Sequence, residues 1–184
     1  MKFITNLQDV ADFTVSAERK LFSATHEEIV AGLTTDIYFV KTREILEKMG
    51  RADAVVTGEI FARRPGIFAG AEEVKRLLAD TGVEVWSLRE GEEFAAREVV
   101  MRITGPYGDF GIYETAILGI LASSSAWATR AREAKEAAGD KPAICFGARH
   151  VHPAVAPVME RAAVIGGADG ASCILGAKLA EIHR

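Results

Sequence analysis

The chain has 184 residues, 49% of them hydrophobic and 26% charged, with a formal net charge of −4. That length holds one sizeable domain, or a small domain beside part of a larger one. The acidic balance argues against nucleic-acid binding through counterion release, and no run of about 18 apolar residues offers a membrane span.

The opening MKFITNLQDV includes Asp9 and lacks the apolar stretch of a signal peptide. SATHEEIVAGL then starts a helix, because Thr25 and Glu28 have the spacing of a capping box. A helical pattern resumes through DIYFVKTREILEKMG and should stop at Gly50. DAVVTGEIFA, VEVWSL and EVVMRITG read as strands from their β-branched content and length. Between the first two, AGAEEVKRLLADTG reads as a helix with apolar Val74, Leu77 and Leu78 and a stop at Gly82. Up to about Gly108 the chain is therefore a mixed α+β unit.

Beyond Gly108 the pattern changes. GIYETAILGILASSSAWATRAREAKEAAG is one long helix with Ile117, Ile120, Leu121, Ser124, Ala128 and Ala131 on one face. Its first half is apolar nearly all round and its second half is charged, so it should begin in a core and end in water. A strand over 143–146, a helix over 153–164, the glycine-rich turn GGADG and a last helix from about Ser172 follow. This is the α-β-α grammar of a parallel sheet or barrel, in a stretch far too short to close one. Cys145 and Cys173 form no Cys-x-x-Cys pair, so they are expected as free thiols of a cytoplasmic protein, and no zinc site is expected.

In parallel α/β folds ligands sit beyond the carboxyl ends of the strands. The turn after strand 143–146 holds that position and carries Arg149, His150 and His152. Arg149 presents a permanently charged fork suited to carboxylate or phosphate, beside the N–H groups of a helix start. The residues alone leave two readings open, an anion site or a solvated arginine. His150 and His152 alternate along the segment, so one of them should face away, and His152 before Pro153 suits a capping role. IGGADGAS reads as a second strand-to-helix turn with Asp169 at its tip, either a ligand contact or a turn-stabilising aspartate. Asp36 reads as a local helix cap, and Tyr38 as a core residue or an aromatic platform.

Four segments in order, ATHEEIVAGLTTDIYF, GPYGDFGIYETAILGILASSSAWATRA, FGARHVHPAVAPVMERAAVIGGADGAS and LGAKL, resemble the nicotinate phosphoribosyltransferase family. The resemblance implies an α/β fold: an N-terminal α+β domain over 1–108, followed over 109–184 by the first part of an α/β barrel. It implies transfer of the phosphoribosyl group of phosphoribosyl pyrophosphate to nicotinate, with magnesium and ATP as cofactors, in NAD biosynthesis. It also implies a homo-oligomer with shared sites. By motif, Phe146 matches the aromatic on one face of the pyridine ring, and Tyr38 the residue covering the other face from a neighbouring subunit. Arg149 matches the arginine beside ring and phosphate, and Asp169 the acidic residue near the ring substituent. Where many members have Arg-Arg this chain has Arg149-His150, so His150 stands where a second cation would.

The family's G-T-x-x-H element is not found in these 184 residues, and His183 matches no motif. The chain is therefore expected to hold the pyridine pocket without being active alone. A separate chain supplying the rest of the barrel is one alternative. Quinolinate phosphoribosyltransferase, which needs a denser basic pocket, is another.

Overall fold

The computed structural model describes residues 2–181, so His183 lies outside the described residues. The chain forms α1 (Leu7–Asp12), α2 (His26–Val30), α3 (Ile37–Lys48), β1 (Val55–Phe61), β2 (Gly66–Ile67) and α4 (Ala71–Leu77). It continues with β3 (Glu84–Ser87), β4 (Glu93–Phe94), β5 (Val99–Pro106), α5 (Tyr107–Phe110) and α6 (Glu114–Ala138). β6 (Ile144–Cys145), α7 (Ala156–Ile165), β7 (Gly170–Ala171) and α8 (Ile174–Glu181) complete it. This is an α/β fold, with the three long strands in the order β1-β5-β3.

Local chemistry explains most of the boundaries. The Thr25–Glu28 capping box is present: Thr25 Oγ1 accepts from the Glu28 N–H at 3.3 Å, and Glu28 Oε2 from the Thr25 N–H at 2.7 Å. α2 nevertheless lasts only five residues, because Gly32 turns the chain at φ +83°. Gly50 and Gly139, at φ +63° and +59°, stop α3 and α6 where expected. α1 was not anticipated. Its start is a capping box of Asn6 and Asp9, in which an aspartate stands in for the usual glutamate. On α6, Ile117, Leu121, Ser124 and Ala128 are buried and Ile120 and Ala131 half-buried, the face read from the sequence. Among the described residues no helix is long and apolar enough to cross a membrane.

Two compact units are present, each assembled from separate stretches. The first comprises residues up to Gly58, Arg76–Val85 and Ile103–Leu118. The division expected after residue 108 falls inside its third stretch. Its buried side chains include Ile4, Phe39, Val40, Phe110 and Ile112, and the Tyr113 hydroxyl donates to the Val30 carbonyl at 3.0 Å.

In the same unit the Arg19 guanidinium pairs with Glu28, with Nη2 at 2.7 Å from Oε2. Arg19 and the Thr25 N–H pull the Glu28 carboxyl down from 4.5 to about 2. A carboxyl lowered on folding stabilises above its unfolded pKa and loses that contribution as pH falls through the folded value. The thermal midpoint of Arg19→Gln should therefore lie below that of the parent by a constant gap above pH 5. That gap should close between about pH 4.5 and 2. A gap independent of pH in thermal melts would refute this assignment.

The second unit comprises Glu59–Lys75, Trp86–Arg102 and residues from Gly119 onward. β2 and β4 pair antiparallel, and the main chain at the end of β2 and just beyond it is fastened to α6 by hydroxyls. The Ile67 N–H donates to Thr129 Oγ1 at 2.9 Å, and the Ala69 N–H to Ser125 Oγ at 3.1 Å. These bonds satisfy backbone groups that would otherwise be buried unpaired. Ile67, Ala69 and Ala128 form a buried cluster against which Ile165 of α7 packs.

Candidate functional site

β6 and β7 pair in parallel, Ile144 opposite Gly170 and Cys145 opposite Ala171. The Ser172 N–H extends the ladder to the Cys145 carbonyl at 3.1 Å. Parallel pairing puts the residues that follow both strands on one edge, so Phe146–His150 and Ser172–Cys173 are neighbours there. Phe146 is 64% exposed on that edge. Ala148–His150 form a short 3-10 turn, closed by the His150 N–H donating to the Gly147 carbonyl at 2.9 Å. Arg149 and His150 are exposed, and among the described residues the Arg149 guanidinium pairs with no carboxylate. An open aromatic face and an uncommitted cation on the same turn suit a flat anionic ligand.

α7 supports this turn from beneath. A Cβ on Gly147 would come within 2.6 Å of Met159 Cε, so the turn lies directly on that helix. His152 organises the entry to α7: its Nδ1 accepts from the Ala154 N–H at 3.2 Å and its carbonyl from the Val155 N–H at 2.8 Å. His152 is not the helix cap expected from sequence: α7 begins at Ala156, its N-cap position is Val155, and no side chain caps it.

Asp169 lies elsewhere. GGADG connects a helix to a strand, α7 to β7, and is not the strand-to-helix turn expected from sequence. Asp169 therefore stands at the opposite end of the β6–β7 pair from Phe146 and Arg149. Its carboxylate accepts from the Ala143 N–H at 2.7 Å and from Lys135 Nζ at 2.9 Å, which together hold it below its ordinary pKa. Asp169 thus ties the start of β6 to α6, at the end of the strand pair away from Phe146. Ser172 and Cys173 occupy the edge where Asp169 was expected. The sequence signal for them was the count of residues needed to cross a strand after the turn.

Tyr38 belongs to the first unit and is 54% exposed, which removes the core reading. Its ring lies 4.3 Å from that of Phe39, tilted by 44°. Asp36 sits at the N-cap position of α3 but makes no cap bond, contrary to the sequence reading. Its Oδ2 accepts instead from the Thr115 hydroxyl at 3.1 Å and from the Tyr38 hydroxyl at 3.2 Å. Partial burial and then the Asp36 carboxylate raise the Tyr38 phenol, keeping it a neutral donor. A cavity of about 550 Å³ in this unit, lined in part by Ile4, Arg43, Asp80 and Tyr113, contains none of the expected site residues.

The family described as "Quinolinate phosphoribosyl transferase, N-terminal domain" matches residues 36–125. The structure is similar to a crystal structure of nicotinate-nucleotide pyrophosphorylase from Pyrococcus furiosus, with a TM-score of 0.82 and 44% identity over 88% of this chain and 43% of that one. The chain is thus similar to proteins named for nicotinate and for quinolinate phosphoribosyl transfer. A nicotinate phosphoribosyltransferase of Bacillus subtilis (strain 168) is 36% identical over 94 residues, 50% of this chain and 19% of that protein. Human nicotinic acid phosphoribosyltransferase shares the fold, with a TM-score of 0.72 at 23% identity over 79% of this chain and 37% of that one. The chain spans less than half the length of each of these three relatives. Among its described residues no three His, Cys, Asp or Glu side chains gather as a cation site.

Proposed function

We propose that this chain forms the pyridine-binding part of a cytoplasmic nicotinate phosphoribosyltransferase, with 1–108 as its N-terminal α+β domain and 109–184 opening its barrel. One observation carries the reading: Phe146 stands exposed at the carboxyl end of a parallel strand pair, three residues before the exposed Arg149. Phe146 would lie against one face of the ring, and Tyr38 of a neighbouring subunit against the other. Arg149 would compensate the nicotinate carboxylate or the phosphoribosyl phosphate, with His150 as a weaker second donor. The ring nitrogen's lone pair forms the bond to the ribose carbon as the bond to pyrophosphate breaks. No proton moves in that step, so positioning and charge compensation are what the residues supply. Magnesium and ATP belong to the expected chemistry of the whole protein, and no residue described here is assigned to either.

Calorimetric titration with nicotinate tests this. Arg149→Ala should weaken binding by about ten- to a hundred-fold, the worth of one charge-assisted hydrogen-bonded contact. Arg149→Lys should recover only part, because it lacks the planar fork. Equal affinity for parent and Arg149→Ala would remove Arg149 from the site. The matched family's description favours quinolinate as a second reading. Quinolinate binding tighter than nicotinate would establish it. Failure to bind either would favour a non-catalytic partner of a chain bearing the rest of the barrel.

A further inference from the structure

Glu160 lies on α7 with 0% of its surface exposed, and among the described residues it forms no ion pair. Burying a carboxylate is costly unless hydrogen bonds replace the lost water. Its two partners are specific: the Ser172 hydroxyl donates to Oε1 at 2.6 Å, and the Cys173 N–H donates to Oε2 at 2.5 Å. Both donors belong to the segment leaving β7. The same segment is tied to the site, since the Ser172 N–H donates to the Cys145 carbonyl next to Phe146. One residue earlier on α7, Met159 lies against Gly147, where the Arg149 turn begins. A single turn of α7 therefore contacts both segments that form the candidate edge. α8 leaves room for the carboxylate's stem, because a Cβ on Gly176 would come within 3.0 Å of Glu160 Cβ.

We propose that Glu160 is a positioning residue: its buried carboxylate fastens Ser172 and Cys173 to α7 and so fixes the end of β7 beside Phe146. The Ser172 hydroxyl, its proton committed to Glu160, is held on the ligand-facing edge in one orientation. A hydrophobic residue at 160 would pack on α8 equally well but would leave that edge unfastened. The proposal rests on the nicotinate reading above and names the residue that gives its pocket a fixed wall.

The test uses nicotinate itself, titrated into the full chain, with amide hydrogen exchange at residues 172 and 173 and the thermal midpoint measured in parallel. Glu160→Gln keeps the side chain's size but offers one acceptor in place of two. Its expected signature is a nicotinate Kd about ten-fold higher together with faster exchange at Cys173. Faster exchange with unchanged affinity would make Glu160 a purely structural residue and overturn the proposal, as would unchanged exchange. Should Glu160→Gln fail to fold, Ser172→Ala removes one end of the clamp at the cost of a single atom. Its affinity should also fall several-fold, and parental affinity would overturn the proposal. Absence of nicotinate binding by the parent removes the functional reading and this proposal together. Parental binding with an unaffected Glu160→Gln variant removes this proposal alone.

Discussion

Arg161→Met is expected to destabilise the second unit by about 3 kcal/mol, because it strands a buried carboxylate. Arg161 Nη2 lies 2.7 Å from Glu90 Oε2, and the two side chains are only 14% and 12% exposed. Glu90 also receives the Gly70 N–H at 2.8 Å, so the pair holds the start of α4 as well as α7. Burial pushes the Glu90 carboxyl up, but Arg161 and the backbone amides outweigh it and the net shift is downward. The pair therefore contributes above the unfolded carboxylate pKa, and its contribution fades as pH falls through the folded value. Denaturant unfolding of parent and Arg161→Met at pH 7 should show the full difference, and at pH 3 a smaller one. The double variant Glu90→Gln/Arg161→Met should recover part of the loss, since no charge is then left buried. A loss below about 1 kcal/mol at pH 7 would mean that Glu90 rehydrates once its partner is gone.

Gly166→Ala should cost about 3 kcal/mol or more, for a steric reason alone. The φ of Gly166 is −67°, which any residue adopts, so no backbone strain enters. An added Cβ would instead stand 2.1 Å from the Ala128 carbonyl oxygen and 2.9 Å from the Ala128 Cα. Both atoms are main chain of α6, and the Gly166 carbonyl is itself fixed by Arg132 Nε at 2.7 Å. Neither side can yield by a rotamer change. Adding Ala128→Gly should give no rescue, because the obstacle is a carbonyl and not the alanine methyl. A thermal midpoint within a few degrees of the parent would show that α7 shifts away from α6 more readily than this packing implies.

Much of the fold is written in short-range signals. The capping box at Thr25, the glycine stops at Gly50 and Gly139 and the apolar face of α6 act within a few residues of themselves. Neighbours in sequence suffice to read them, and the structure reproduces them. Asn6 and Asp9 carried a signal of the same kind, overlooked because aspartate replaces the usual glutamate. The place of Arg149 and His150 was legible for a related reason: they follow a recognisable strand, at the end where such folds hold ligands. Phe146 was named by the family resemblance alone.

What sequence could not supply was the pairing of distant segments. β7 is only two residues long, so whether Asp169 or Ser172 meets the Phe146 edge depends on register against β6, some 26 residues away. The glycine-rich turn named the neighbourhood and not the face. Glu160 was hidden for a different reason. In VMERAAV a glutamate reads as the solvated side of a helix, and only the approach of α8 and of the Ser172–Cys173 segment before it buries the side chain and gives it partners. The sequence by itself determined the ends of α3 and α6 at Gly50 and Gly139, the course of the main strands, the apolar face of α6 and the exposed cationic turn. These follow from backbone propensity and from side chains reaching three or four residues along the chain. Tertiary structure alone decided that Asp169 braces the fold, that Ser172 takes its place on the edge, and that Glu160 is buried. Each of those depends on which distant N–H or hydroxyl comes within 3 Å, a distance that no local pattern encodes.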